Sequence, residues 1–247
     1  MRTSVKTLVA SAVLGCSALA SVPAFAGETD APSDFTVTGY VQGVSDYRFR
    51  GISASAGDPA IQGSVTVNHA SGFYASAWAS SLDETPEYGS TELDLIAGWT
   101  REVAPGLTFD GGLTYYVYPS GETGHANFFE PFAAVSTTIG PVSAKAGVAY
   151  AWKQKGVANG VAKDNVYVYT DLGAAIPNTP VTLSAHLGYH NGPLAADPSN
   201  DRIDYSLGAN YAITKNLSVG VAYVGVDGPS IDSKTNDTAL ITVKLAL

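Results

Sequence analysis

The run Leu217-Ser218-Val219-Gly220-Val221-Ala222-Tyr223-Val224 decides the fold of this chain. Branched apolar residues alternate through it with small or polar ones at a period of two, the signature of a strand with two unlike faces. The same alternation returns in Val181-Thr182-Leu183-Ser184-Ala185-His186-Leu187-Gly188-Tyr189 and in Ala239-Leu240-Ile241-Thr242-Val243-Lys244-Leu245. After residue 33 no stretch carries a convincing helical period. Alternating runs and turn residues together give about twelve strands. They lie near 35–46, 60–69, 73–81, 90–101, 106–118, 125–138, 141–153, 164–175, 179–190, 202–213, 216–227 and 237–247.

Several of these runs hold about ten to thirteen residues, whereas a soluble strand usually has five or six and a tilted membrane-crossing strand about 9–11. The links alternate in length. Ala70-Ser71-Gly72, Glu102 to Pro105, Gly140, Pro177-Asn178 and Thr214-Lys215 are short. Leu82 to Gly89, Ser120 to Gly124, Gln154 to Lys163, Asn191 to Asp201 and Gly228 to Asn236 are longer and polar. Short turns at one end, long loops at the other and an even strand count describe an outer-membrane barrel. The expected fold is therefore all-β: a transmembrane antiparallel up-and-down β-barrel of about twelve strands.

One parity of each strand is apolar, as in Val65, Leu95, Leu113, Val148, Leu183, Leu207, Val221 and Ile241. No charged residue shares that parity within an expected strand core. The other parity carries Gln42, Gln62, Asn68, Glu92, Asp94, Asp110, Glu130, Lys145, Asp171, His186, Asp204, Asn210 and Lys244. A soluble sandwich would also alternate, but aromatic placement favours the barrel. Phe35, Phe73, Trp99, Phe109 and Tyr211 fall at one end of the strands, and Tyr115, Phe129, Tyr150, Trp152, Tyr189 and Tyr205 at the other. Two such belts are what lipid headgroup layers select.

Residues 1–26 read as a secretory signal peptide: Arg2 and Lys6, an apolar stretch from Thr7 to Ala20, and Ala24-Phe25-Ala26 as a small-x-small cleavage site. A lipoprotein signal cut before Cys16 is the alternative. Residues 27–247 then form one barrel domain without cysteine, which suits an oxidising cell envelope. The signal carries two bases and no acid, so its removal takes the formal charge from −9 to −11. That balance argues against a nucleic-acid partner. Charged residues are only 14% of the chain, against roughly 25% in a typical soluble domain.

Val44-Ser45-Asp46-Tyr47-Arg48-Phe49-Arg50-Gly51-Ile52-Ser53 resembles the signature near the start of the TorF family, proteobacterial outer-membrane proteins assigned as porins and largely uncharacterised. Further similar segments are Pro59-Ala60-Ile61-Gln62-Gly63, His69-Ala70-Ser71-Gly72-Phe73-Tyr74, Glu92-Leu93-Asp94-Leu95, Tyr115-Tyr116-Val117-Tyr118-Pro119, Asp204-Tyr205-Ser206-Leu207-Gly208 and Ala222-Tyr223-Val224-Gly225. The resemblance implies an outer-membrane barrel of porin type that passes small hydrophilic solutes, with no catalytic residue and no cofactor. Lipids and the barrel assembly machinery are the implied partners. The chain ends on Leu247, where such barrels usually end on Phe or Trp.

Asp46, Arg48 and Arg50 are the most informative charged group. If the first strand continues through them, they point inward and face Glu92, Asp94, Glu130 and Asp204. Opposed arginine and carboxylate rows would set a field across a constriction. Simple pairing that stiffens or plugs a narrow barrel is the alternative. Asp110, Lys145, Asp171, His186 and Lys244 are expected to line the lumen elsewhere. The excess of inward carboxylates over bases predicts a mild cation preference. Loop acids Asp83, Glu84, Glu87, Asp197, Asp227 and Asp232 have no specific metal-ligand spacing. His186 and His190 lie about 13 Å apart along one strand face and cannot chelate a metal together. His69 and Ser71 raise the rival reading of an outer-membrane lipid hydrolase, although no Asp or Asn is placed to orient the histidine.

Overall fold

The computed structural model describes residues 34–158, 163–196, 200–228 and 233–247. The expected signal peptide with Cys16, and the loop acids Asp197 and Asp232, lie outside the described residues. Twelve long strands close into one antiparallel barrel. In chain order these are β1 (Phe35–Val44), β4 (Ala60–His69), β5 (Phe73–Thr85), β6 (Gly89–Ala104), β7 (Leu107–Val117), β8 (Phe128–Ile139), β9 (Val142–Ala151), β10 (Asn165–Ala175), β11 (Val181–Asn191), β12 (Asp201–Ala212), β13 (Leu217–Val226) and β14 (Thr238–Ala246). Two short strands, β2 (Arg48–Phe49) and β3 (Ile52–Ser53), form a separate hairpin. Each barrel strand pairs with its chain neighbours, and β1 pairs with β14 to close the ring. Closure satisfies every ladder and leaves no open edge, which lipid demands of a sheet. Among the described residues no helix is long and apolar enough to cross a membrane, so any crossing is made by strands.

The outward face is the apolar parity. Val65, Leu95, Leu113, Leu183, Leu187, Leu207, Val221 and Ile241 are all exposed on it. Aromatic rings flank this belt at both ends. Phe35, Phe73 and Tyr211 are exposed beside the short turns, and Phe129, Tyr150, Trp152 and Tyr189 beside the long loops. Phe129 stacks on Tyr115 at 4.1 Å and lies parallel to Trp152 at 6.2 Å. At the opposite end the Trp99 indole N–H donates to the Ser71 carbonyl at 3.1 Å.

Two expectations need correction. The first strand does not continue through Asp46: β1 ends at Val44, and the chain leaves the wall. The Asp46 carboxylate accepts hydrogen bonds from the Ser53 and Ser55 hydroxyls, at 2.5 and 3.0 Å, and so bends residues 45–55 back on themselves. The loop expected from Leu82 to Gly89 is mostly strand. β5 reaches Thr85, β6 starts at Gly89, and Thr85 pairs with Gly89 across a tight link, after an irregularity in register beyond Ser81.

Inside the barrel, aromatic rings lie over glycines of neighbouring strands. Tyr74 pairs with Gly98, Tyr169 with Gly147, and Phe132 with Gly112. A Cβ placed on Gly98 would stand 2.5 Å from the Tyr74 ring, and one on Gly147 would stand 2.5 Å from the Tyr169 ring. Tyr167 covers Gly188 in the same way. These positions are glycine because a ring occupies the space a side chain would fill.

Candidate lumen and its constriction

On β4 and β6 inward residues are buried near the long loops and more accessible toward the short turns, where the hydrogen-bonded Tyr74 and Asp110 are buried exceptions. On β6, Glu92, Asp94 and Ile96 are buried, whereas Gly98 and Thr100 are half-buried. On β4, Ala60 and Gln62 are buried, and Ser64, Thr66 and Asn68 are half-buried. Residues 45–55 produce this asymmetry by folding into the long-loop end. Val44, Tyr47, Ala60 and Trp78 form a buried cluster there, and Tyr116, Phe128, Ala151 and Val157 form a second; Phe49 packs against both.

The tip of the β2–β3 hairpin is Arg50-Gly51. Both residues have positive φ, 49° and 80°, as a two-residue hairpin turn requires. Gly51 is needed twice over, because a Cβ there would strike Val226 and crowd Asp204. The turn drives the Arg50 guanidinium into the barrel interior. Its Nη2 donates to Glu130 Oε2 at 2.6 Å, and its Nη1 lies 3.2 Å from His190 Nε2. The guanidinium also sits over the Tyr167 and Phe49 rings, at 4.1 and 4.7 Å. Burial by itself would lower the Arg50 pKa, and the Glu130 carboxylate beside it lifts it above the ordinary value. Burial likewise pushes the Tyr47 hydroxyl upward.

Arg48 behaves differently. Its Nε donates to Asp46 Oδ2 at 2.6 Å, and its Nη1 to the carbonyls of Gly51 and Asn236. It braces the inward segment instead of facing a carboxylate across the lumen. Glu92 accepts a hydrogen bond from the Tyr118 hydroxyl at 3.1 Å. Asp94 is 2% exposed, and its Oδ1 has no hydrogen-bond partner. Asp204 accepts from the Tyr167 hydroxyl at 3.0 Å and meets His186 Nε2 at 2.9 Å, and His186 Nδ1 meets Asp171 Oδ1 at 2.6 Å. Asp110 accepts from the Tyr74 hydroxyl at 2.9 Å, with the Lys145 ammonium at 3.9 Å. The Lys244 ammonium lies over the Tyr40 ring at 3.8 Å. Arg202 is a buried inward base that the strand reading left out, although it shares parity with Asp204.

His69 and Ser71 stand in an exposed short turn. His69 Nδ1 meets the Ser71 hydroxyl at 2.6 Å and accepts from the Ser71 backbone N–H at 3.2 Å. Both contacts close a local turn through one ring nitrogen, and among the described residues no acidic or amide side chain bonds the other nitrogen to orient the ring. Of the loop acids, Asp83 pairs with Lys234 at 2.8 Å and Asp227 accepts from the Ile203 backbone. Among the described residues no three acidic or histidine side chains converge to hold a metal.

A family model described as "Bacterial protein of unknown function (Gcw_chp)" matches residues 28–244. No curated protein matches the sequence. Among solved structures, the KdgM porin is similar with a TM-score of 0.57 at 10% identity, over 85% of this chain and 98% of that one. The NanC porin gives 0.55 at 13% identity, over 84% and 97%. Outer membrane phospholipase A from Escherichia coli gives 0.52 at 13% identity, over 89% and 94%. At these identities the likeness is one of fold, and all three share the closed barrel.

Proposed function

The chain belongs to the bacterial Gcw_chp family, and we propose that it is an outer-membrane, porin-like channel for passive diffusion of small hydrophilic solutes. The observation that carries this reading is the opposition of the two barrel faces. An uncharged apolar belt between aromatic rings surrounds an interior of hydroxyls, amides and charges, which is how a barrel in lipid encloses an aqueous path. The short turns then face the periplasm and the long loops the exterior. Residues 1–26 serve as the export signal, and the assembly machinery inserts residues 27–247 among the lipids. The TorF-like motifs support the same reading.

The constriction consists of Arg50 against Glu130, with Glu92, Asp94 and Asp204 nearby. Inward carboxylates are Asp46, Glu92, Asp94, Asp110, Glu130, Asp171 and Asp204, and inward bases are Arg48, Arg50, Lys145, Arg202 and Lys244. That excess of acid favours cations. The turn geometry of His69 and Ser71 favours a structural role over hydrolysis, so the protein acts without catalysis. A second reading, a barrel that does not conduct, is favoured by the packed clusters around Phe49.

Planar-bilayer recording on refolded residues 27–247 decides between them. The channel reading expects discrete conductance steps and, under a KCl gradient, a reversal potential of cation-selective sign. A barrel that inserts and never conducts supports the second reading.

A further inference from the structure

Glu92 and Asp94 occupy successive inward positions of β6, and among the described residues no base pairs with either. Their surroundings are aromatic. Asp94 is directly opposite Trp78 on β5 and Tyr116 on β7. The Tyr116 hydroxyl is already given to Glu130, at 3.1 Å. Asp94 therefore has a carboxylate oxygen that is buried, on the lumen face, and without a donor. It is not alone. Asp110 Oδ2, Glu130 Oε1 and Asp204 Oδ2 are buried acceptors without a hydrogen bond on three other strands. A buried carboxylate with no donor is costly unless a positive charge accompanies it.

We propose that the inward face of β6 at Glu92 and Asp94 is a binding site for a small monovalent cation, with Asp94 as its main ligand. Two features select this class. Glu92 is already engaged by the Tyr118 hydroxyl at 3.1 Å, which leaves Asp94 Oδ1 as the donorless carboxylate oxygen on β6, short of the roughly six to eight oxygens that a bare divalent calcium ion takes. No converging trio of metal-ligating side chains is present among the described residues. A single carboxylate, a second one a step away and ring faces beside them instead hold a partly hydrated monovalent ion weakly, as a site on a conduction path must. Arg50 compensates Glu130, so the attraction is concentrated on β6. The role in permeation rests on the channel reading; the binding does not.

The test reads the two separately. Trp78 is one of three tryptophans, and the other two, Trp99 and Trp152, belong to the outer belts. In a Trp99→Phe/Trp152→Phe barrel refolded in detergent, Tl⁺ quenches Trp78 emission saturably, and Asp94→Asn abolishes the saturable component. Linear quenching that is the same with Asp94→Asn overturns the site, and so does a carboxyl that stays protonated and gives none. In bilayers, Asp94→Asn lowers the K⁺/Cl⁻ permeability ratio about tenfold, because one unit charge at about 6 Å through water-like dielectric shifts each ion about threefold in opposite senses. Glu122→Gln, an exposed loop acid, leaves the ratio unchanged. An unaltered ratio in a conducting Asp94→Asn barrel refutes the site and leaves the channel standing. Saturable Tl⁺ quenching in a barrel that never conducts does the reverse.

Discussion

Replacing Gly98 by alanine tests whether the ring-over-glycine contacts hold the barrel in register. The new methyl would stand 2.5 Å from the Tyr74 ring, so the ring must swing away. Its hydroxyl would then lose Asp110, to which it donates at 2.9 Å, and leave that buried carboxylate only Lys145 at 3.9 Å. A hydrogen bond to a charged group contributes about 1.5–3 kcal/mol, and overpacking a filled interior costs about 1–3 kcal/mol. Alanine in place of glycine within a strand returns roughly 0.5–1 kcal/mol of backbone entropy. The net expectation is a loss of about 2–4 kcal/mol, read from urea unfolding of the refolded barrel and from its heat-modifiable migration in gels. Gly43→Ala is the control. That site is exposed on the outer face, and a Cβ there meets nothing within 4 Å, so alanine there stabilises by only the roughly 0.5–1 kcal/mol of backbone entropy. In a Tyr74→Ala background the Gly98→Ala penalty disappears, because the ring it collides with is gone. A Gly98→Ala barrel as stable as the parent, or an equal penalty with Tyr74 removed, refutes the reasoning.

Arg50→Gln strands Glu130 without its buried counter-charge; losing one partner of a buried pair costs about 3–5 kcal/mol. The β2–β3 hairpin loosens, and single-channel conductance rises or becomes noisy. Adding Glu130→Gln restores part of the stability, and a quiet, unchanged channel in Arg50→Gln shows that the hairpin does not set the bore. Leu207, 67% exposed on the outer belt, becomes a lipid-facing charge in Leu207→Arg. Near the bilayer midplane this costs about 2–4 kcal/mol in vesicles, and a neutral result there contradicts a lipid-facing position.

The strands were legible because the period of two runs through nearly every one and the faces differ so sharply. β5 and β6 differ from expectation only at their shared hairpin, where Leu82, Asp83 and Glu84 look like loop residues and yet extend β5 through an irregularity between the Ser81–Thr91 and Thr85–Gly89 pairs, the Asp83 N–H bonding to the Ala54 carbonyl. The inward direction of Glu92, Asp94, Asp110, Glu130 and Asp204 follows from parity alone; their burial does not, since Asp171 and Lys145 share that parity and are only half-buried. Arg202 obeys the same parity but stands at the very start of the strand expected over 202–213, and the structure begins that strand one residue earlier, at Asp201. Residues 45–55 could not be read this way. Their path is set by side-chain bonds to Asp46 and by positive φ at a non-glycine residue, Arg50. Neither leaves a periodic trace. Arg50 and Asp46 end up inside, but on a hairpin folded into the barrel and not on its wall.

The same distinction separates what sets the charge of the lumen from what sets its width. Most of the charge resides on strand side chains, whose direction the pleat dictates; without Asp46, Arg48 and Arg50 of the folded-in segment the wall still carries more inward carboxylates than bases, so the acidic excess persists whatever the hairpin does. Width depends on Phe49, Arg50 and Tyr47, which are held by one ion pair, a few ring contacts and the Asp46 turn. A disturbance of the Arg50–Glu130 pair that conserves charge, such as Arg50→Lys, therefore alters conductance more than ion preference, because it moves the obstruction and leaves the lumen charges unchanged in number. A disturbance of Asp94 does the opposite. Ion preference and conductance should accordingly vary independently between the two sets of variants, and a single change that moved both together would mean that hairpin and wall act as one element.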